Sequence, residues 1–492
     1  MHSKTTEKNS LPPAGEGGYV LALVLVYIFS RTLFSLKGGY FTARPLFFAK
    51  QYLDPVLLEN DLLAGLLHLH SQPPLFNFFL GLVLKISPDP ALTYELLFKT
   101  AGLLIPILLF GTLSNLGIRR FFAFLISLVF MLNPTLFLYE NLLYYTHFEA
   151  FFILLAGFCL SQWNKAPTIL NSVCFSLSLL CLGMIRSLFH PLFFIILIAV
   201  LAGFCLHSHR KTAARTLVLA SLLIFIPMAL LCTKNLLLYD FFGTSSWTGM
   251  SLWIKANTHL EEQLEEFEHR GIVSPLGVKA ELEVFKTIDN YFDEKKLAEI
   301  GCHHPADCNI LKSSGKPNYN HAGYTVLSRQ LFKDAFALIR RDPGAFAFYT
   351  LGSYSLTLWH SSDSVHALFE DNMKILYPVE RIYRFLNFGV FGIQNRHSDT
   401  RLWNRTILVS AIMVLVYGVT VVNLLKQNSR MPFGMKMVCL FCLIIHTYTI
   451  AVSSFIEFGE NNRFRFPVDS AFLILIIANL STFLRKAQEK SI

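Results

Sequence analysis

Apolar runs of about 17 to 25 residues recur along almost the whole chain, and this repetition limits the fold more than any single motif. A helix needs about 20 apolar residues to cross the hydrocarbon core of a bilayer. Such runs begin near Tyr19, Leu92, Phe121, Phe148, Thr168, Pro191, Thr216, Ile407, Met437 and Ala471, which predicts about ten spans. With 53% of its 492 residues hydrophobic and only 15% charged, the chain has more apolar surface than a soluble core of that length can hide. The expected fold is an all-α polytopic membrane protein of about ten or more transmembrane helices, with an extracytoplasmic domain that is α-rich or mixed.

The formal charge of +9 raises the question of nucleic acid, but the cations fall in short gaps between apolar runs and form no basic stripe or recognition motif. Nucleic acid is therefore not an expected partner. Arg119, Arg120, Lys165, Arg210, Lys211, Arg215, Lys426, Arg430, Lys436, Arg485, Lys486 and Lys490 all fall on one side of the predicted spans, and the positive-inside rule makes that side cytoplasmic. The chain then divides into a cytoplasmic N-terminus (1–18) and an N-terminal transmembrane module (19–233) with a first outer loop (37–72). An extracytoplasmic region (234–405) and C-terminal transmembrane helices with a cytoplasmic tail (406–492) follow. No small-residue cleavage site follows the first apolar run, so that run is expected to stay as a helix. The short run 73–86 reads as short, tilted or re-entrant, because a full crossing would put Arg119 and Arg120 outside. The apolar stretch 345–359 is assigned to the outer domain. The compact loops fit a multi-pass protein of a bacterial inner membrane; an endoplasmic-reticulum membrane would give the same topology. Cys302 and Cys308 flank His303 and His304; these residues suit a zinc site or, more readily on an outer face, a disulfide.

The first outer loop carries the densest candidate chemistry. Asp54 before Pro55 is a good helix start, and Leu57, Leu58, Leu62, Leu66 and Leu69 predict a helix along the bilayer surface that stops near Gln72, ahead of Pro73. On that helix Asp54, Asp61 and His68 share one face. Asp61 is the first candidate for a base that takes a proton from an acceptor hydroxyl; Asp54 is more simply a cap, and the plainer reading of Asp61 is a solvated helix face. Farther on, Glu140, Tyr144 and His147 have helical spacing. Glu140 with Asp61 would complete an oxygen-ligand site for a divalent cation, Mg or Mn; the plainer alternative is an interfacial tyrosine belt with an incidental acid. Arg186, His190, Lys234, Arg463 and Arg465 lie at predicted outer ends of spans, where cations suit a phosphate, and Glu460 lies among the last of them. The plainer alternative there is mutual ion pairing.

The segment HSQPPLFN, a His, a polar residue and a Pro-Pro pair opening an aromatic run after a large first loop, resembles the glycosyltransferases of C-type fold (GT-C). Protein O-mannosyltransferases and lipid A aminoarabinose transferases belong to that group. The segment ENNRFRFP is similar to the acidic, Arg-aromatic, then Pro pattern that precedes their last spans. The resemblance implies an inverting transfer of a sugar from a polyprenyl-phosphate-linked donor to a protein, lipid or cell-envelope glycan acceptor. It places the reaction on the outer face, with a first-loop acid and in some members a divalent metal. His70, Gln72, Pro73 and Pro74 match the Pro-Pro motif, and Arg463 matches the late arginine. The chain departs from the pattern at Thr42 to Arg44, where many members carry an Asp-Glu pair, and at Gln72, where some carry an acid. The other readings are a transporter or flippase for a lipid-linked or anionic solute and an inert scaffold. Concentration of polar residues at outer span ends favours the enzyme over the transporter.

Overall fold

Each of the apolar runs is helical in the computed structural model, which describes residues 15–165, 168–258, 260–363, 366–386, 400–426, 429–457 and 459–490. Most of the expected cytoplasmic N-terminus (1–18) lies outside the described residues, as do 387–399 of the 234–405 region and the side chains of Lys165, Lys486 and Lys490. The principal helices begin with α1 (Glu16–Leu36), α2 (Pro55–Asn60), α3 (Leu62–Leu67), α4 (Leu75–Ile86), α5 (Pro90–Asn115) and α6 (Arg120–Met131). They continue with α7 (Pro134–Glu140), α8 (Thr146–Lys165), α9 (Ile169–Ile185), α10 (Pro191–His207), α11 (Lys211–Tyr239) and α12 (Thr248–Asn257). The last are α13 (Gly323–Arg341), α14 (Pro343–Thr357), α15 (His366–Leu386), α16 (Thr400–Leu425), α17 (Phe433–Ile456) and α18 (Phe466–Lys490). No strand occurs among the described residues; the extended pairing is limited to isolated bridges such as Thr42 with Leu142.

The chain is an all-α membrane protein: α1, α5, α11, α17 and parts of α16 and α18 make 6 helices long and apolar enough to cross a bilayer. Of the remaining expected spans, α9 and α10 have 17 residues each and α6 with α7 is bent, while α8 has 20 residues but carries Glu149 and a less apolar sequence. α6 and α7 would form one further span, bent by 58° at the Asn133-Pro134 junction, where Asn133 caps α7 and Pro134 cannot continue the preceding helix. α4 has 12 residues, about 18 Å of helix, so it stops short of a crossing of about 30 Å, in line with its short-run reading. Local capping sets two other starts: Asp89 accepts from Leu92 before α5, and His190 Nδ1 accepts from Leu192 before α10. α8 packs against α5, α9, α17 and α18 and carries the buried Trp163 into the main core. α11 instead exposes Leu222, Ile226, Leu230 and Leu237, an apolar stripe suited to contact with lipid.

A second core forms from residues between Trp247 and Phe346, with Trp253, Tyr324, Leu327 and Leu331 at its centre. α12 crosses α13 so closely that a Cβ on Gly249 would meet the Ser328 carbonyl oxygen at 1.8 Å. α14, which covers most of the apolar stretch 345–359, packs on α17, so it joins this second core to the helical bundle.

The first loop differs from expectation. Asp54 does cap a helix, accepting from Val56, but the helix breaks at Asp61, which sits at φ −136° between α2 and α3. Asp54, Asp61 and His68 therefore lie on no common helix face. The break lies under α4, where a Cβ on Gly81 would meet the Leu58 carbonyl at 2.9 Å as well as the Leu62 side chain. Likewise α7 ends at Glu140 and α8 begins at Thr146, so Glu140, Tyr144 and His147 are not on one helix. The intervening segment is held by Thr42, whose N–H donates to the Asn141 carbonyl and whose carbonyl accepts from Leu143, both at 3.0 Å.

Candidate functional site

The Pro-Pro segment is braced before it reaches the prolines. Asn320 Oδ1 accepts from the backbone of both His70 and Ser71 at 3.0 Å. The His70 carbonyl accepts from Ser246 N at 2.9 Å, the Ser71 carbonyl from Ser245 Oγ at 2.6 Å, and the Leu69 carbonyl from Lys234 Nζ. These backbone bonds fix Gln72, whose Oε1 accepts from Ser187 Oγ at 3.2 Å, on the wall of a cavity of about 1180 Å³. The cavity lies between the bundle and the second core. Its wall includes Gln72, Tyr144, Arg186, His190, Glu460 and Arg463, so most of the substrate-binding set expected from the sequence converges on one space.

Arg463 sits on a tight turn between α17 and α18 that Asn461 and Asn462 tie down through bonds to the carbonyls of Ser453, Glu457 and His360. It is 7% exposed; Nη1 donates to the Tyr144 hydroxyl at 2.8 Å and lies 3.0 Å from Glu460 Oε2. Its buried Nε has no hydrogen-bond partner among the described residues. An unpaired buried donor on a cation is costly, so an acceptor supplied by a ligand would satisfy it. Arg186 commits Nη1 to the buried Glu149, at 2.9 and 2.6 Å from its oxygens, and its guanidinium lies 3.9 Å from the Phe464 ring centre. Glu149 already balances that charge.

The chain matches no family model, no curated protein and no solved structure.

The sequence reading missed several cavity residues. Lys50 lies 4.0 Å over the Phe285 ring; burial lowers its ammonium pKa, while Glu460, Glu457 and Glu283 pull the other way. Lys50 stands within the first outer loop and Glu457 three residues ahead of the ENNRFRFP segment, but Glu283 lies in no motif and reaches the cavity through the fold of the second core. Glu283 has no ion pair among the described residues.

The proposed catalytic residues lie elsewhere, and their partners explain why. Glu140 is fully buried, accepts from Tyr27 at 2.8 Å and pairs with Arg31 at 2.7 Å, so its charge is already matched inside the bundle. Asp61 is exposed and lies 2.9 Å from His304 Nε2. Asp61 and Glu140 thus contact different residues, neither lines the cavity, and the shared Mg or Mn site expected of them is not formed. Among the described residues no other group of acids, histidines and cysteines converges as metal ligands. Asp54 is a fastener: its carboxylate accepts from Ser313 N at 2.6 Å and Ser313 Oγ at 2.5 Å. His70 stands behind the cavity wall, 2.9 Å from Ser246 Oγ, and burial followed by the Lys234 charge drives its imidazole down to about 3. Lys234 braces Leu69, and Arg465 pairs with Asp469 at 2.9 Å and donates to the Leu358 carbonyl at 2.6 Å; neither lines the cavity. Cys302 and Cys308 form a disulfide, and Asp307 Oδ1 accepts from the backbone N–H of His303 and His304 beside it.

Proposed function

We propose that this protein transfers a sugar from a polyprenyl-phosphate-linked donor to a protein, lipid or cell-envelope glycan acceptor, as its resemblance to C-type glycosyltransferases implies. The observation that carries the reading is the Arg463 guanidinium, buried with an unpaired Nε on the wall of a cavity that also takes in Gln72 of the braced Pro-Pro segment. A leaving phosphate needs preorganised donors where its charge develops, and a guanidinium meets phosphate oxygens in a planar fork. Lys50 adds a second cation on the same wall.

The acceptor hydroxyl attacks the anomeric carbon, its proton passes to a carboxylate, the new glycosidic bond forms, and the carbon–oxygen bond to the lipid phosphate breaks. Direct attack inverts the anomeric configuration. Glu283 is our choice of base, because it lines the cavity with no ion pair among the described residues, whereas Glu460 lies 3.0 Å from Arg463. The distribution of Lys and Arg supports a cavity on the extracytoplasmic side, the recurring apolar runs support about ten spans, and the compact loops fit a bacterial inner membrane. Region 234–405 then supplies the extracytoplasmic wall.

A transporter is the second reading, favoured by the buried Arg31–Glu140 and Arg186–Glu149 pairs inside the bundle. The deciding experiment is transfer from polyprenyl-phosphate sugars by purified protein in liposomes, comparing wild type with Arg463→Gln, Glu283→Gln and Asp61→Asn. Loss in the first two with Asp61→Asn retained supports the enzyme and this base. Donor movement across the bilayer without transfer would replace it with the transporter.

A further inference from the structure

α13 buries Tyr324, Leu327, Leu331, Ala335 and Leu338 in the second core, and its opposite face holds Arg329, Phe332, Lys333, Phe336 and Arg340. These positions fall on one helical stripe, and all are exposed. Phe332 and Phe336 are each 41% exposed and lie 4.8 Å apart as a ring pair. Aromatic rings flanked by basic side chains form the surface that suits the headgroup zone of an anionic bilayer, rings inward and cations toward phosphates.

The position of the stripe selects the occupant. Arg329 donates to the Asp240 carboxylate at 2.9 Å and to the Asp240 carbonyl at 2.8 Å, just beyond the end of α11. α11 is 29 residues long and apolar enough to span a membrane, so its end marks the depth of an interface. Leu237 and Phe242 there are 78% and 64% exposed, which extends the apolar stripe of α11 toward Phe332. Phe242, Phe332 and Lys333 also line the cavity.

We propose that the exposed stripe of α13 seats on the anionic headgroup layer of the bilayer, tying the second core to the membrane at the cavity rim. The inference stands apart from the transfer reading. In the test, full-length Phe336→Cys protein, labelled with a polarity-sensitive fluorophore, is placed one copy per nanodisc. The lipids are phosphatidylcholine with or without phosphatidylglycerol, spin-labelled on shallow acyl carbons. Leu230→Cys on α11 serves as the lipid-facing control, and unmodified protein gives the background from native cysteines. The expected result is lipid quenching at Phe336, stronger by about twofold or more with phosphatidylglycerol and weakened when Lys333→Glu and Arg340→Glu are added. A water-exposed, unquenched Phe336 probe beside a quenched Leu230 probe would overturn the proposal. So would shielding that appears only in detergent and grows with protein concentration, which would assign the face to a second copy.

Discussion

The Arg463 guanidinium donates from Nη1 to the Tyr144 hydroxyl at 2.8 Å, joining residues 319 positions apart in sequence. The bond holds a buried cation on the cavity wall and leaves Nε without a hydrogen-bond partner among the described residues. Hydrogen bonds to charged groups contribute about 1.5–3 kcal/mol. Arg463→Gln is expected to weaken binding of a polyprenyl-phosphate donor by about 10- to 100-fold. Arg463→Lys recovers little of this, because an ammonium offers no planar fork. Donor affinity measured by titration, with Tm as a folding control, checks both.

Glu140→Gln tests structure against catalysis. Removing the carboxylate strands Arg31 inside the bundle, and breaking a buried pair costs about 3–5 kcal/mol. The expected outcome is a marked fall in Tm in detergent. Replacing both partners with apolar residues, Arg31→Met with Glu140→Leu, restores most of the loss. A Glu140→Gln variant with unchanged Tm and lost transfer would return this acid to the chemistry.

His70 predicts acid sensitivity. Its folded-state pKa of about 3 lies below the ordinary 6.5, so between those values the unfolded chain binds more protons. The stability from keeping His70 neutral is complete above pH 6.5 and is lost as pH falls toward 3, at up to about 1.4 kcal/mol per unit. Unfolding measured across that range should show a shallower slope in His70→Phe.

The Cys302–Cys308 bridge closes a short loop, which constrains the unfolded chain by about 2 kcal/mol. Cys302→Ser with Cys308→Ser should lower Tm modestly. A reducing agent should have the same effect on wild type and none on the variant.

The sequence by itself determined what local pattern controls. Run length and composition identified a helical membrane protein, Asp54 and Pro55 marked a helix start, and the short run after Pro74 gave a helix too short to cross. Run ends also marked Arg186, His190, Lys234, Glu460, Arg463 and Arg465 as candidates, and the Pro-Pro resemblance added Gln72; packing then left Lys234 and Arg465 off the cavity. Tertiary structure decided which charges are spent. Glu140 carried the same local signal as a catalytic acid, yet Arg31, on another helix, neutralises it. Asp61 lost its predicted face at the break in the loop helix, where α4 packs closely through Gly81, and Glu283 reached the cavity without any motif. A side chain's periodicity is fixed within a few turns of its own helix. The partner that takes up its charge lies on a segment far away in sequence, and only packing brings the two together.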